Sequence, residues 1–251
     1  MTTVISTELF KLRTTRGPWV IAFVVLGLVA AMIAIYVSLI GDPGQPALTT
    51  SALAQLATAP GRLTGAAALL LGLLLATAEY RHSTVLTTRL GHPRVASLLL
   101  GRTTAAALAG LVLALVVEAA MVSGGAILLA SRDLAVEPLR HGLPGAVAGV
   151  VVVTVLHAIV GVAIGELLRN PALAIGVVFG WAFLVEGVLP VVLREPELGR
   201  WLPTGAVRSV LALGQPPADG LLSTAAGLVL LTAYAVGLWL AALGRSRLTD
   251  P

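Results

Sequence analysis

Three ionisable residues, Glu118, His157 and Glu186, stand inside long apolar runs of this chain. An ionisable group at membrane depth is costly and is by default a functional candidate. Two carboxyls and an imidazole in that setting could bind a cation or relay protons. The plainer alternative is hydrogen bonding between helices, or, for Glu186, solvation near the outer surface. Glu118 and His157 both fall near the middle of their runs, so the two could meet.

Other chemistries find few residues to work with. A phosphate-binding loop of the form GxxxxGK followed by Ser or Thr needs a lysine that reaches the phosphates. Lys11 is the single lysine, and no glycine loop surrounds it. HExxH and GxSxG are absent, and Ser123-Gly124-Gly125 is only a weak imitation of a nucleophile turn. The histidines at 82, 92, 141 and 157 are scattered over loops and one apolar run, with no metal-ligand spacing. Cysteine is missing, which excludes disulfides, thiol catalysis and Cys-ligated zinc. The expectation is a non-enzyme with no catalytic residues, metal site or cofactor of its own. An intramembrane enzyme is disfavoured on the same grounds.

The elements that would hold these residues are membrane spans. The chain has 251 residues, 57% hydrophobic and 11% charged, with a mean hydropathy of +0.97. Soluble domains carry about 25% charged residues, so a soluble fold could not hide this much apolar surface. Crossing a bilayer takes about 20 apolar residues. Six runs qualify, near 18–40, 62–79, 98–130, 143–165, 172–193 and 222–243. The fold class is therefore all-α, a single polytopic membrane domain over 1–251. The first run is too long for a signal peptide, so no cleavable signal is expected.

Charge sets the orientation. The first 17 residues, the stretch 79–102, Glu166 to Arg169 and the C-terminus together hold ten Lys and Arg, with a net charge of +6. The opposite loops hold six arginines and six acids, so their charges cancel. With Glu118 and Glu186 inside the runs the total is +4; the positive excess sits on one side, and the positive-inside rule predicts both termini in the cytoplasm. Ile5, Leu9 and Leu12 share a helical face next to Lys11, Arg13 and Arg16, and Gly17-Pro18 breaks the pattern. Residues 1–17 therefore read as an amphipathic helix in the inner interface.

Glu79 to Arg102, EYRHSTVLTTRLGHPRVASLLLGR, is the longest polar interruption with a positive balance. It could be a topology signal, a contact for anionic headgroups or a docking helix for a cytoplasmic partner. Ser83 to Leu90 would form a short helix, ended by Gly91-His92-Pro93. Glu166-Leu-Leu-Arg-Asn-Pro171 would be a second, smaller inner loop. Residues 194–221 mix Trp201, Leu202, Val207 and Leu211 with charges and prolines. A short helix starting near Pro203 and dipping into or lying on the outer leaflet fits them. Gly145/Gly149, Gly161/Gly165 and Gly176/Gly180 are small-xxx-small pairs that favour close helix packing.

Four stretches in chain order resemble the permease subunits of type-2 ATP-binding-cassette transporters, in the version common in actinobacteria. They are TELFKLRTTRGPW, EYRHSTVLTTRLGHPR, LLRNPALA and RWLPTGAVRSVL. The most specific is the second, with Glu79, Tyr80, Arg81, Thr84, Thr87, Thr88 and Pro93. The resemblance implies six spans, an interfacial N-terminal helix, a cytoplasmic coupling helix between spans two and three, and a re-entrant segment before span six. It implies a homo- or heterodimer of permeases in a bacterial plasma membrane. Two separate ATPase subunits would dock below and supply the ATP and Mg. The residues implied for coupling are Glu79, Tyr80, Arg81, His82, Thr84 and Arg89, with Glu166 and Arg169 as secondary contacts. No nucleic-acid partner is expected. The apolar stretches Leu69 to Leu75 and Val177 to Val192 suit a lipid, drug or peptide-like substrate, and the resemblance implies export. The alternatives are a proton-coupled secondary transporter using Glu118 and Glu186, and a scaffold or sensor that binds an ATPase but moves nothing.

Overall fold

The computed structural model describes residues 2–39, 52–81, 95–131, 142–213 and 220–249. Within them the chain is helical, and no strand occurs. The helices are α1 (Thr2–Thr14), α2 (Arg16–Leu39), α3 (Ala52–Thr58), α4 (Gly61–Arg81), α5 (Val95–Ala130), α6 (Leu143–Leu168) and α7 (Pro171–Gly180). A π-helical stretch (Trp181–Val188) carries α7 into α8 (Leu189–Val192). A 3-10 turn (Pro196–Trp201), α9 (Pro203–Leu211) and α10 (Thr224–Thr249) complete the order. Six segments of the described residues are long and apolar enough to cross a membrane: Arg16–Tyr36, Ala54–Ala78, Ala96–Leu128, Leu143–Leu168, Pro171–Val192 and Thr224–Leu248. The chain is accordingly a multi-pass helical membrane protein.

Local sequence explains the breaks. Asn170 and Pro171 separate α6 from α7. The Asn170 side chain accepts the Leu173 N–H at 3.1 Å, and Pro171 opens the new helix where its missing N–H is no loss. Pro203 opens α9 in the same way, as its position predicts. At the N-terminus the break falls at Thr15, not at Gly17-Pro18. Pro18 lies in the first turn of α2, a position that tolerates it. The Trp19 Nε1–H donates to the Arg13 carbonyl at 3.0 Å across this break.

The centre of the bundle is α4 against α6. Lipid tails are as apolar as leucine, so helices in a membrane associate through close packing of small residues. Ala68 and Ala76 of α4, Ala105 and Ala106 of α5, and Ala158 and Ala163 of α6 form the largest buried cluster. A methyl group at Gly161 would collide with the Leu69 carbonyl, and one at Gly72 with the Ala158 carbonyl. The Gly161/Gly165 pair thus packs within the chain, while Gly176 and Gly180 meet open space. Val150 and Val153 of α6 receive α9 through Ala206, Val207 and Val210. Val25 and Val29 attach α2 to α4 and α5. The second span is 61% buried over its most apolar window, against 6% for Pro171–Val192. Phe179, Phe183 and Val191 of that fifth span are exposed, as suits side chains that meet acyl tails.

Two sequence expectations shift here. The face of α1 that packs on the bundle is Val4, Glu8 and Leu12, whereas Leu9 and Phe10 point outward. Arg102 and Glu166, assigned to loops by their polarity, lie within α5 and α6 and are buried.

Candidate functional site

At the end of the bundle where α4 stops, five helices send polar side chains to one point. Glu166, near the end of α6, is the hub. Its Oε1 accepts the Tyr80 hydroxyl of α4 at 2.8 Å and the Ser246 hydroxyl of α10 at 3.3 Å. Its Oε2 accepts Arg102 Nη1 of α5 at 2.9 Å. Arg102 Nε lies 3.8 Å from Glu8 Oε1 of α1, and Lys11 Nζ donates to the same oxygen at 2.9 Å. Glu8, Arg102 and Glu166 are each no more than 5% exposed. Three buried charges are tolerable only as a paired set. Here the arginine lies between the two carboxylates.

The hub reaches both ends of the stretch 79–102. Tyr80 is at its start and Arg102 at its end. Arg169 ends α6 in the left-handed conformation, at φ 55°. Its guanidinium lies 5.5 Å from the centroid of the Tyr80 ring, within cation–π range. Burial, then the charge and hydrogen bond of Glu166, push the Tyr80 hydroxyl up to about 12, with Arg169 and Arg102 opposing. Tyr80 is therefore a neutral donor at physiological pH. Nearby, Trp239 Nε1–H donates to Thr103 Oγ1 at 3.0 Å, a second tie between α10 and α5.

The other predicted coupling residues divide cleanly. Glu79 and Arg81 are on the last turn of α4 by backbone, and their side chains lie outside the described residues. His82, Thr84 and Arg89, with the expected helix from Ser83 to Leu90, also lie outside them. Glu166 and Arg169 converge on Tyr80, and Glu166 faces inward. Glu8, Arg102 and Ser246 join the hub unforeseen. An acid four residues from Val4 and four from Leu12, on one helical face, is the signal that marks Glu8 in the sequence.

The three intramembrane candidates do not come together as one site. Glu118, 3% exposed, has both carboxyl oxygens buried with no hydrogen-bond partner. His157 Nδ1 is 2.8 Å from the Val153 carbonyl of its own helix. Its ring fills the space left by Gly65 of α4. Glu118 and His157 therefore do not form a hydrogen bond with each other: the His157 Nδ1 faces the Val153 carbonyl, and neither Glu118 oxygen has a partner. Glu186 lies in the π-helical stretch and accepts the Thr204 N–H of α9 at 2.7 Å. It lines a cavity of about 260 Å³ with Arg62, Arg200 and Arg208. Among the described residues no group of three or more His, Asp or Glu could hold a metal ion.

No family model matches this chain, and a comparison with curated proteins finds no match.

Proposed function

We propose that this chain is the membrane-spanning permease subunit of an ATP-binding-cassette exporter. It forms the translocation pathway with a second permease and couples to a separate ATPase subunit in a bacterial plasma membrane. The observation that carries this reading is the hub at Glu166. It ties the start of the basic stretch, at Tyr80, to its end, at Arg102, and both to α1, α6 and α10. A load applied to that stretch by a partner would be shared by five helices instead of absorbed by a loose loop. Nucleotide-driven closure of the ATPase pair would then bias the permease between inward- and outward-open arrangements. Glu79, Arg81, His82, Thr84 and Arg89 would meet the ATPase. Tyr80, Glu166 and Arg169 would position that stretch from behind. The exposed apolar spans suit a hydrophobic or amphipathic cargo.

The test is co-purification. Substitutions Arg81→Ala and Arg89→Ala, in protein expressed at the wild-type level, are expected to release the ATPase. Undiminished ATPase retention and stimulation would sink the coupling assignment.

A second reading rests on Glu118. A carboxyl buried at membrane depth without a partner is a candidate proton or cation carrier. A proton-coupled secondary transporter would need no ATPase, and its activity would collapse with the proton gradient and with Glu118→Gln.

A further inference from the structure

The cavity at the opposite end of the bundle from the hub is formed by four elements. Arg62 comes from the start of α4, Glu186 from the π-helical stretch, Arg200 from the 3-10 turn, and Thr204 and Arg208 from α9. Its volume of about 260 Å³ is many times that of a water. Three guanidiniums therefore share a recess with one carboxylate. That carboxylate is already engaged, because Glu186 accepts the Thr204 N–H and so satisfies the α9 N-terminus. Arg200 pairs with Glu197 and lies over the Trp201 ring, yet its Nε is buried with no hydrogen-bond partner. Among the described residues neither Arg62 nor Arg208 forms an ion pair. Among the described residues, the arginines that line this recess outnumber the carboxylates that line it.

The recess is also held rigid. The Tyr234 hydroxyl of α10 donates to the Trp201 carbonyl at 3.0 Å. Gly205 fits so closely to the 3-10 turn that a methyl there would strike the Gly199 carbonyl. The span that supplies Glu186 also exposes Phe183 and Leu184, at 69% and 67%. A polar, cationic cup is thus built partly on an apolar, exposed span.

We propose that this cup binds an oxyanion headgroup, of the phosphate-monoester or phosphodiester class, at the membrane surface opposite the hub. Arginine presents paired N–H donors that match such oxygens, and charge-assisted hydrogen bonds to them are the strong kind. The tail of an amphipathic lipid would lie along Phe183 and Leu184. The ligand's source is either a bilayer lipid or a free phosphate. The site stands independently of any ATPase partner.

The experiment is lipid retention by the purified full chain, read by native mass spectrometry during titration with phosphatidylglycerol or phosphatidylcholine. Both lipids carry a phosphodiester, but only the first has net negative charge, which the arginine excess favours. Phosphatidylglycerol is expected to bind about tenfold more tightly, the equivalent of one charge-assisted hydrogen bond. Arg62→Gln and Arg208→Gln, both at exposed side chains, should each lower that affinity about tenfold. Arg208→Lys should keep most of it. Glu186→Gln should raise it, since the amide can still accept the Thr204 N–H while the opposing charge is gone. That rise is a readout that loss of structure would not produce. Arg13→Gln, on the exposed side of α1, should change nothing. Competition by inorganic phosphate would assign the cup to a free oxyanion, and its absence would assign it to the lipid headgroup. Equal retention of the two lipids, no fall in either glutamine variant, no rise in Glu186→Gln, or an equal fall in Arg13→Gln would overturn the proposal.

Discussion

The two polar ends of this bundle use the same residue types to opposite effect. At one end, Arg102 is buried between Glu8 and Glu166, and Tyr80 and Ser246 both donate to Glu166 Oε1. At the other, Arg62, Arg200 and Arg208 surround a cavity with Glu186 as the one lining carboxylate among the described residues. The ends are separated by roughly 27 Å along α4, counting 1.5 Å per residue from Arg62 to Tyr80. Buried charges that pair with one another fix the positions of helices, although Glu8 Oε2 is left without a hydrogen-bond partner. Half-exposed charges around an open recess do little for the fold and remain available. Polarity alone therefore does not mark function, and the pairing state of each group decides.

Breaking the closed end should have the largest effect. Arg102→Ala takes the ion-pair partner from buried Glu166 and leaves Glu8 with Lys11 alone, and is expected to destabilise by about 3–5 kcal/mol. Thermal unfolding in mild detergent would measure it. Arg102→Met combined with Glu166→Gln should recover part of the loss, because the pair is coupled and the single effects do not add. Full additivity would show that the two residues act separately. The packing that holds both ends in place comes next. Gly161→Ala pushes a methyl into the Leu69 carbonyl and is expected to cost about 1–3 kcal/mol by overpacking, measured the same way.

Tyr80→Phe is a finer cut. It removes one donor to Glu166 Oε1 and should cost about 1–2 kcal/mol. It also predicts a pH signature. The folded Tyr80 hydroxyl is held at about 12, above its ordinary value of 10.0. A group raised on folding contributes stability that is fully present below its unfolded pKa and lost as pH rises through the folded one. Wild-type stability should therefore fall between pH 10 and about 12 by a component that Tyr80→Phe lacks. Identical alkaline profiles would remove Tyr80 from the hub. The smallest stability effects belong to the open end. Arg62→Gln and Arg208→Gln should stay within about 0.5 kcal/mol of wild type, even where they abolish headgroup retention. A large destabilisation there would mean that the cup is structural after all, and the contrast between the ends would vanish.

Much of the architecture was legible in the residues. Apolar runs bounded by Arg62, Asn170-Pro171 and Pro203 predict the spans and the helix before the last one, because length and hydropathy are strong signals in a membrane chain. The short α3 was not foreseen, since Ala52–Thr58 carries no long apolar run. The π-helical stretch at Trp181–Val188 was not foreseen either, although Pro190, which has no N–H to give the helical ladder, stands just after it. The hub was half visible. The resemblance implies Tyr80 for coupling and Glu166 and Arg169 as secondary contacts, all as outward contacts, because an isolated acid at the end of an apolar run reads as a loop. Only the partner arginine at 102, more than sixty positions away in the chain, makes burial of Glu166 possible. Long-range pairing of that kind has no local periodicity to betray it.

The most direct measurement for the account as a whole is the intact mass of this chain drawn from its native membrane in mild detergent. Two copies of the chain, or one copy with a related permease, bound to two ATPase subunits are expected. A lone chain or a homo-oligomer with no ATPase would contradict it, and would turn attention to Glu118 as the carrier of a proton-coupled process.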